Sequence, residues 1–229
     1  MTETQNPESS PIKRALQEIR EMRAKLEALE QAAHEPIAII GMACRYPGGI
    51  NNPDDFWRVL RDGVDTISEI PSDRWNIDSF YDADPDMAGK IVTRKGGFLD
   101  QIDQFDAQFF GLSPREADGM DPQHRLLLEV AWEALEAASQ APDQLARTNT
   151  GVFLGIASLD YYQIMAGQDH ALRDVYFAQG TTHSVAAGRI SYFLGLQGPA
   201  ISVDTACSSS LVAAHLAVQS LRSGESRMA

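Results

Sequence analysis

The stretch Ala200-Ile201-Ser202-Val203-Asp204-Thr205-Ala206-Cys207-Ser208-Ser209-Ser210-Leu211-Val212-Ala213-Ala214 decides how this chain is read. Its first part is short, apolar and β-branched, which suits a strand buried on both faces. From Ser208 to Leu221 the pattern changes to Leu211, Val212, Ala213, Ala214, Leu216, Ala217, Val218 and Leu221. A helix that is apolar on nearly all sides belongs in the interior of a fold. Ser223-Gly224 ends it. Cys207 therefore stands at a strand-to-helix turn, against the amino terminus of a buried helix.

That position has chemical meaning. A helix dipole and unpaired backbone N–H groups favour a thiolate and lower a thiol pKa. The same N–H groups can stabilise the oxyanion formed when a thioester carbonyl is attacked. A cysteine suits reversible acyl capture, since one thioester is exchanged for another at little change in free energy. Two readings of Cys207 stand side by side here: acyl-accepting nucleophile, or small buried hydrophobe. The Gly-x-Ser-x-Gly elbow of serine hydrolases is absent. Ser208, Ser209 and Ser210 are expected to cap the helix. Cys44, in Gly41-Met42-Ala43-Cys44-Arg45-Tyr46-Pro47, follows a strand-like run without a helix start and reads as structural.

Two runs resemble the strand before Cys207: Pro36-Ile37-Ala38-Ile39-Ile40-Gly41 and Gly151-Val152-Phe153-Leu154-Gly155-Ile156. Helices with start signals separate them. Asn52-Pro53-Asp54-Asp55 supplies a cap, a proline at the first helical position and two acids at the positive dipole end, and Gly63 terminates that helix. Ser113-Pro114-Arg115-Glu116 is a capping box, and Asp121-Pro122 opens a long helix through Leu126, Leu127, Val130, Ala131, Leu135 and Ala138. Buried strands alternating with helices predict an α/β fold around a mostly parallel sheet. Residues 64–112 fit the alternation poorly and read as an ordered excursion with its own small apolar cluster of Trp75, Phe80, Phe98, Phe105 and Phe109.

Residues 12–33 form a separate amphipathic helix. Ile12, Leu16, Ile19, Met22, Leu26, Leu29 and Ala33 recur in steps of three and four, and Arg14/Glu18, Glu21/Lys25 and Arg23/Glu27 pair opposite charges one turn apart. Such a narrow seam serves either packing on its own domain or a short coiled coil with a copy or another chain. Pro36 ends it.

Composition excludes several classes. Nineteen basic against 32 acidic residues give a net charge of −13, which argues against a nucleic-acid surface. No run reaches the roughly 20 apolar residues that span a bilayer, and the polar first ten residues lack a signal pattern; a cytoplasmic protein is expected. Two distant cysteines and five histidines (34, 124, 170, 183 and 215) show no zinc spacing, so neither metal nor disulfide is expected. His215 lies eight residues beyond Cys207, roughly 12 Å along a helix and out of reach. Nothing around His124 or His183 marks a base, and all five read as satisfied or exposed structural histidines.

Four motifs then make the chain recognisable: Glu35-Pro36-Ile37-Ala38-Ile39-Ile40-Gly41-Met42; Phe109-Phe110-Gly111-Leu112-Ser113-Pro114-Arg115-Glu116-Ala117; Met120-Asp121-Pro122-Gln123-His124-Arg125-Leu126-Leu127-Leu128-Glu129; and Gly198 through Ser210. Residues 36–229 resemble the amino-terminal half of a ketosynthase domain from a modular type I polyketide synthase, a β-ketoacyl synthase of the thiolase superfamily. The resemblance implies a layered α/β/α fold, amino-terminal portion only, preceded by a separate helix. It implies that Cys207 accepts an acyl chain from the phosphopantetheine of an acyl carrier protein and condenses it with a malonyl-type extender, with no cofactor bound directly. Loading domains that only decarboxylate carry glutamine here, so cysteine argues for condensation. The family's two histidines and lysine lie beyond the nucleophile helix, outside this sequence. Family members are homodimers with the strand before the nucleophile close to the two-fold axis. The helix at 12–33 resembles the docking segment through which successive polypeptides meet, which implies an upstream synthase polypeptide as partner. The expected organisation is a disordered amino terminus (1–11), a coiled-coil docking helix (12–35) and a truncated β-ketoacyl synthase domain (36–229). Two alternatives remain: an inactive truncated protein acting as a docking module, and a thiol hydrolase. The isolated chain is expected to be poorly stable, because the apolar helix 208–221 lacks half its covering layers.

Overall fold

Prolines and short polar side chains fix the helix starts in this computed structural model, which describes residues 11–167 and 175–229. The chain divides into two compact units, residues 1–38 and 39–229. The first carries α1 (Pro11–His34), with Leu16, Ile19, Met22 and Leu26 each about half exposed along its seam. The disordered segment expected at 1–11 lies, apart from Pro11, outside the described residues, as does His170.

In the second unit α2 (Pro53–Asp62) begins where the Asn52 side chain accepts the Asp55 N–H at 2.8 Å, and Gly63 closes it in the left-handed conformation. The excursion contains a small antiparallel pair, β1 (Ser68–Glu69) with β2 (Lys95–Gly96), and a Trp75–Phe98 edge contact. Phe105 and Phe109 were expected in the same cluster, but they leave it. Phe105 stacks on Phe110 at 5.1 Å and packs against the main core, while Phe109, half exposed, meets Trp132 edge-on at 4.8 Å.

α3 (Pro114–Asp118) starts with the Ser113 hydroxyl accepting the Glu116 N–H, and α4 (Pro122–Ala137) with Asp121 accepting the Gln123 N–H. Then come β3 (Val152–Gly155), α5 (Asp160–Ala166), α6 (Val175–Thr181), α7 (His183–Leu194), β4 (Ala200–Val203) and α8 (Ser209–Arg222). β3 and β4 are parallel, Val152 facing Ala200 and Gly155 facing Val203. The segments between them make the crossover that parallel pairing requires. On the opposite edge of β3 a parallel bridge joins Thr150 to Met228, with the Gly151 N–H donating to the Met228 carbonyl at 2.8 Å.

Leu128 of α4, Ala187, Ile190 and Leu194 of α7, and Val152 of β3 form the core with Phe110, Met120, Leu145 and Leu196. The strand expected at Pro36-Ile37-Ala38-Ile39-Ile40-Gly41 is not formed: residues 35–45 carry no strand, and Ile39 is 80% exposed. The reason is the missing ladder. Among the described residues no backbone hydrogen bond joins residues 36–41 to β3; Ile40 and Gly41 instead line an apolar groove of about 310 Å³ together with Phe153 and Leu154. A strand that cannot exchange hydrogen bonds does not persist, however apolar its sequence. α8 is likewise less enclosed than its composition predicts. It buries Ser209, Ala213 and Ser220, while Leu211 is 75% exposed.

Two outcomes check this packing. A Cβ on Gly155 would lie 2.5 Å from the Ser210 backbone nitrogen and 2.6 Å from the Ser209 carbonyl carbon. Gly155→Ala is therefore expected to destabilise the chain by about 1–3 kcal/mol, read as a lower chemical-denaturation midpoint, and an unchanged midpoint would show that α8 is not seated on β3. The second concerns His124, 1% exposed, with neither ring nitrogen hydrogen-bonded. Burial first, then Arg189 and His183, push its pKa down to about 4. The unfolded chain takes up this proton near the ordinary value of about 6.5, the folded chain only near 4, so stability falls as pH drops between those values. The loss is on the order of 3 kcal/mol, complete by about pH 4. Between pH 7 and 4.5 the denaturation midpoint of wild type should fall further than that of His124→Leu; an equal fall would refute the neutral buried imidazole.

Candidate active site

β4 delivers the chain to the carboxyl end of the parallel pair, where open α/β sheets place their ligands. After Val203 the backbone turns through Asp204 and Thr205 to Ala206, whose φ of +53° is left-handed. A residue with a Cβ pays about 1–3 kcal/mol for such a conformation, and such strain collects at functional sites. Ala206, Cys207 and Ser208 form a single 3₁₀ turn before α8 begins at Ser209.

Short polar side chains brace this turn. The Asp204 carboxylate accepts the Ala206 N–H at 3.0 Å. The Ser209 hydroxyl accepts the Thr205 N–H at 2.9 Å and donates to the Ala206 carbonyl at 2.8 Å. The Ser208 hydroxyl lies 2.9 Å from both the Thr205 carbonyl and the Thr205 hydroxyl. The serines were expected to cap α8, and they do not. Ser208, the residue at the cap position, already has helical angles (φ −93°, ψ −2°) and makes no side-chain cap bond. A capping side chain needs an extended backbone to reach the next turn's N–H groups. Here the hydroxyls fold back on the turn instead.

Cys207 is exposed at the apex and is a free thiol. The alternative reading of Cys207 as a small buried hydrophobe is not met, since the residue is exposed. The bonds around it engage the N–H groups of Thr205, Ala206, Ser208 and Ser209, and among the described residues none engages that of Cys207. A free N–H beside a thiol is what an oxyanion donor requires. Beneath the turn, Gly155 allows the Ser209–Ser210 backbone to press on β3.

The histidines are placed elsewhere. Among the described residues none hydrogen-bonds Cys207. His215 is exposed on α8. His183, at the start of α7, has its Nε2 2.8 Å from the Ser158 carbonyl, which also accepts from the Gln123 Nε2 at 3.1 Å. His124 is not the satisfied histidine expected, since it is enclosed without a partner. Cys44 is half-buried beside Arg45, whose guanidinium is held by Glu133; burial pushes that thiol up, against nucleophilic use. Sequence reading missed the bracing roles of Asp204 and Ser209. The Asp204 bond to the N–H two residues on is the ordinary Asx turn and was readable; the Ser209 bond needs the left-handed Ala206, which sequence does not signal. Among the described residues no cluster could hold a metal ion, and no helix is long and apolar enough to cross a membrane.

Known proteins carry the same features. Residues 34–229 match the family described as β-ketoacyl synthase, N-terminal domain. The chain is 56% identical over 195 residues to one of the phenolphthiocerol/phthiocerol polyketide synthase polypeptides of Mycobacterium tuberculosis, covering 85% of this chain and 11% of that protein. It is 50% identical over 219 residues to the pikromycin polyketide synthase component PikAII of Streptomyces venezuelae, covering 95% and 6%. Among solved structures, the oxazolomycin ketosynthase domain of Streptomyces albus superposes with a TM-score of 0.76 at 41% identity, over 84% of this chain and 33% of that one. The ketosynthase from module 6 of the bacillaene synthase of Bacillus subtilis gives a TM-score of 0.70 at 41% identity, over 82% and 30%. The chain thus spans 6–11% of these curated relatives and about a third of the solved ketosynthases. With its parallel pair, strand-to-helix turn and Cys207 motif in place, this chain belongs to the β-ketoacyl synthase family, as the amino-terminal ketosynthase portion of a modular type I polyketide synthase.

Proposed function

We propose that Cys207 is the acyl acceptor of a decarboxylative Claisen condensation. The Cys207 sulfur attacks the carbonyl carbon of an acyl thioester on the phosphopantetheine of an acyl carrier protein. The oxyanion forms beside the free Cys207 N–H, and collapse expels the pantetheine sulfur, which takes up a proton. A malonyl-type extender on a second carrier then loses carbon dioxide. Its carbanion attacks the Cys207 acyl carbon, the cysteine sulfur leaves, and a β-ketoacyl thioester results. The observation that carries this reading is the exposed thiol at the apex of a braced, left-handed turn. The two histidines and lysine that complete the chemistry in the family have no counterpart in these 229 residues, so the reading assigns this chain the acyl-accepting step and the full condensation to a complete ketosynthase. A cytoplasmic homodimer, joined across the open edge of β4, is part of the same proposal.

The half-exposed seam of α1 favours a second role, docking to an upstream synthase polypeptide. On that reading a chain without condensing activity still acts as an interaction module.

Incubation with an acyl-N-acetylcysteamine thioester is expected to add one acyl group to wild type and to Cys44→Ala, and none to Cys207→Ala, by intact mass. Equal acylation of the Cys207→Ala protein would remove Cys207 from the mechanism. For α1, Ile19→Asp with Leu26→Asp places charge in the seam and should weaken association by at least about tenfold, measured by sedimentation against wild type. Association that survives both changes would exclude the seam as the contact.

A further inference from the structure

We propose that Ser209 is a positioning residue for acyl transfer: its hydroxyl staples Thr205 to Ala206 and so holds Ala206 in the left-handed conformation that presents Cys207. The inference rests on Cys207 being the acyl acceptor.

The argument is geometric. A left-handed backbone is disfavoured for any residue with a Cβ, so Ala206 returns to negative φ unless something opposes it. A change of φ at Ala206 rotates the backbone that leads into Cys207. That redirects both the thiol and the unengaged Cys207 N–H, which must converge on one carbonyl. Ser209 opposes the rotation from both sides of Ala206, accepting from the Thr205 N–H and donating to the Ala206 carbonyl. The brace is itself anchored. Ser209 is 5% exposed, and its backbone is pressed against Gly155 of β3, so the hydroxyl cannot drift with solvent. Asp204 adds a third bond, to the Ala206 N–H. Ser208, by contrast, bonds only to Thr205 and leaves Ala206 unheld. The three serines after the nucleophile are therefore not equivalent: only the second grips the strained residue.

Glycine adopts positive φ without penalty, so Ala206→Gly removes the need for the staple. This gives a test that separates positioning from simple structural damage. Single-turnover acylation by an acyl-N-acetylcysteamine thioester is measured on the 229-residue chain for wild type, Ser209→Ala, Ser208→Ala, Ala206→Gly and the Ala206→Gly/Ser209→Ala double variant. The rate of Cys207 alkylation by iodoacetamide is followed in parallel in the Cys44→Ala background. Ser209→Ala is expected to lower the limiting acylation rate on the order of 10²-fold, with little change in the half-saturating thioester concentration. The double variant should recover most of that loss, and Ser208→Ala should stay close to wild type. A Ser209→Ala rate within about twofold of wild type, or a loss that Ala206→Gly does not rescue, would overturn the staple. Should wild type accept no acyl group while Cys207 still alkylates faster than in Ser209→Ala, the acyl-acceptor reading fails and the staple stands.

Discussion

The close approach of α8 to β3 at Gly155 is the constraint on which the rest depends. The Ser209–Ser210 backbone lies where a side chain at 155 would stand. With the start of α8 fixed there and the end of β4 fixed by its register with β3, only a few residues remain to reverse direction. The left-handed Ala206 supplies the sharp turn, and Cys207 is raised to its apex as a consequence.

That same geometry explains how far the sequence could be read. β3 and β4 were legible because Val152, Phe153, Leu154, Ile201 and Val203 are buried-strand residues in short runs with turn residues on either side. The starts of α2, α3 and α4 were legible because Asn52, Ser113 and Asp121 carry their own local hydrogen bonds. Residues 36–41 were misread for the opposite reason. Their composition is that of a strand, but strand formation is decided by a neighbour, and among the described residues no backbone hydrogen bond joins them to β3. Phe105 and Phe109 were grouped with Trp75, whereas Phe105 stacks on Phe110, and Phe109 meets Trp132 of α4 and Phe193 of α7. In the site, the nucleophile motif was plain and the brace was not, since the Ser209 bond exists only once Ala206 has adopted an angle that alanine does not advertise.

Exposed apolar surface follows a consistent line. Leu211 on α8, Tyr192 on α7 and Ile201 on β4 are all left open, Tyr192 at 90%. Each lies on or beside the elements that carry the nucleophile turn. Patches of this kind mark surfaces that other protein covers.

Proton chemistry shows the same division. The chain holds its described histidines away from acid–base work at Cys207: His183 is engaged by the Ser158 carbonyl, His215 points outward on α8, and His124 is kept neutral by burial. An acyl transfer between two thiols needs little more than a presented sulfur and an oxyanion donor, because the bond broken and the bond formed are alike. Condensation needs more, since a carbanion must be generated and met. The residues here are arranged for the first task. On the proposed reading, Cys207 with its own N–H and the polar brace beneath it is the acceptor part of the site. On that reading the acceptor and the condensing machinery are separable in physical terms, and the braced turn at Cys207 belongs to the former.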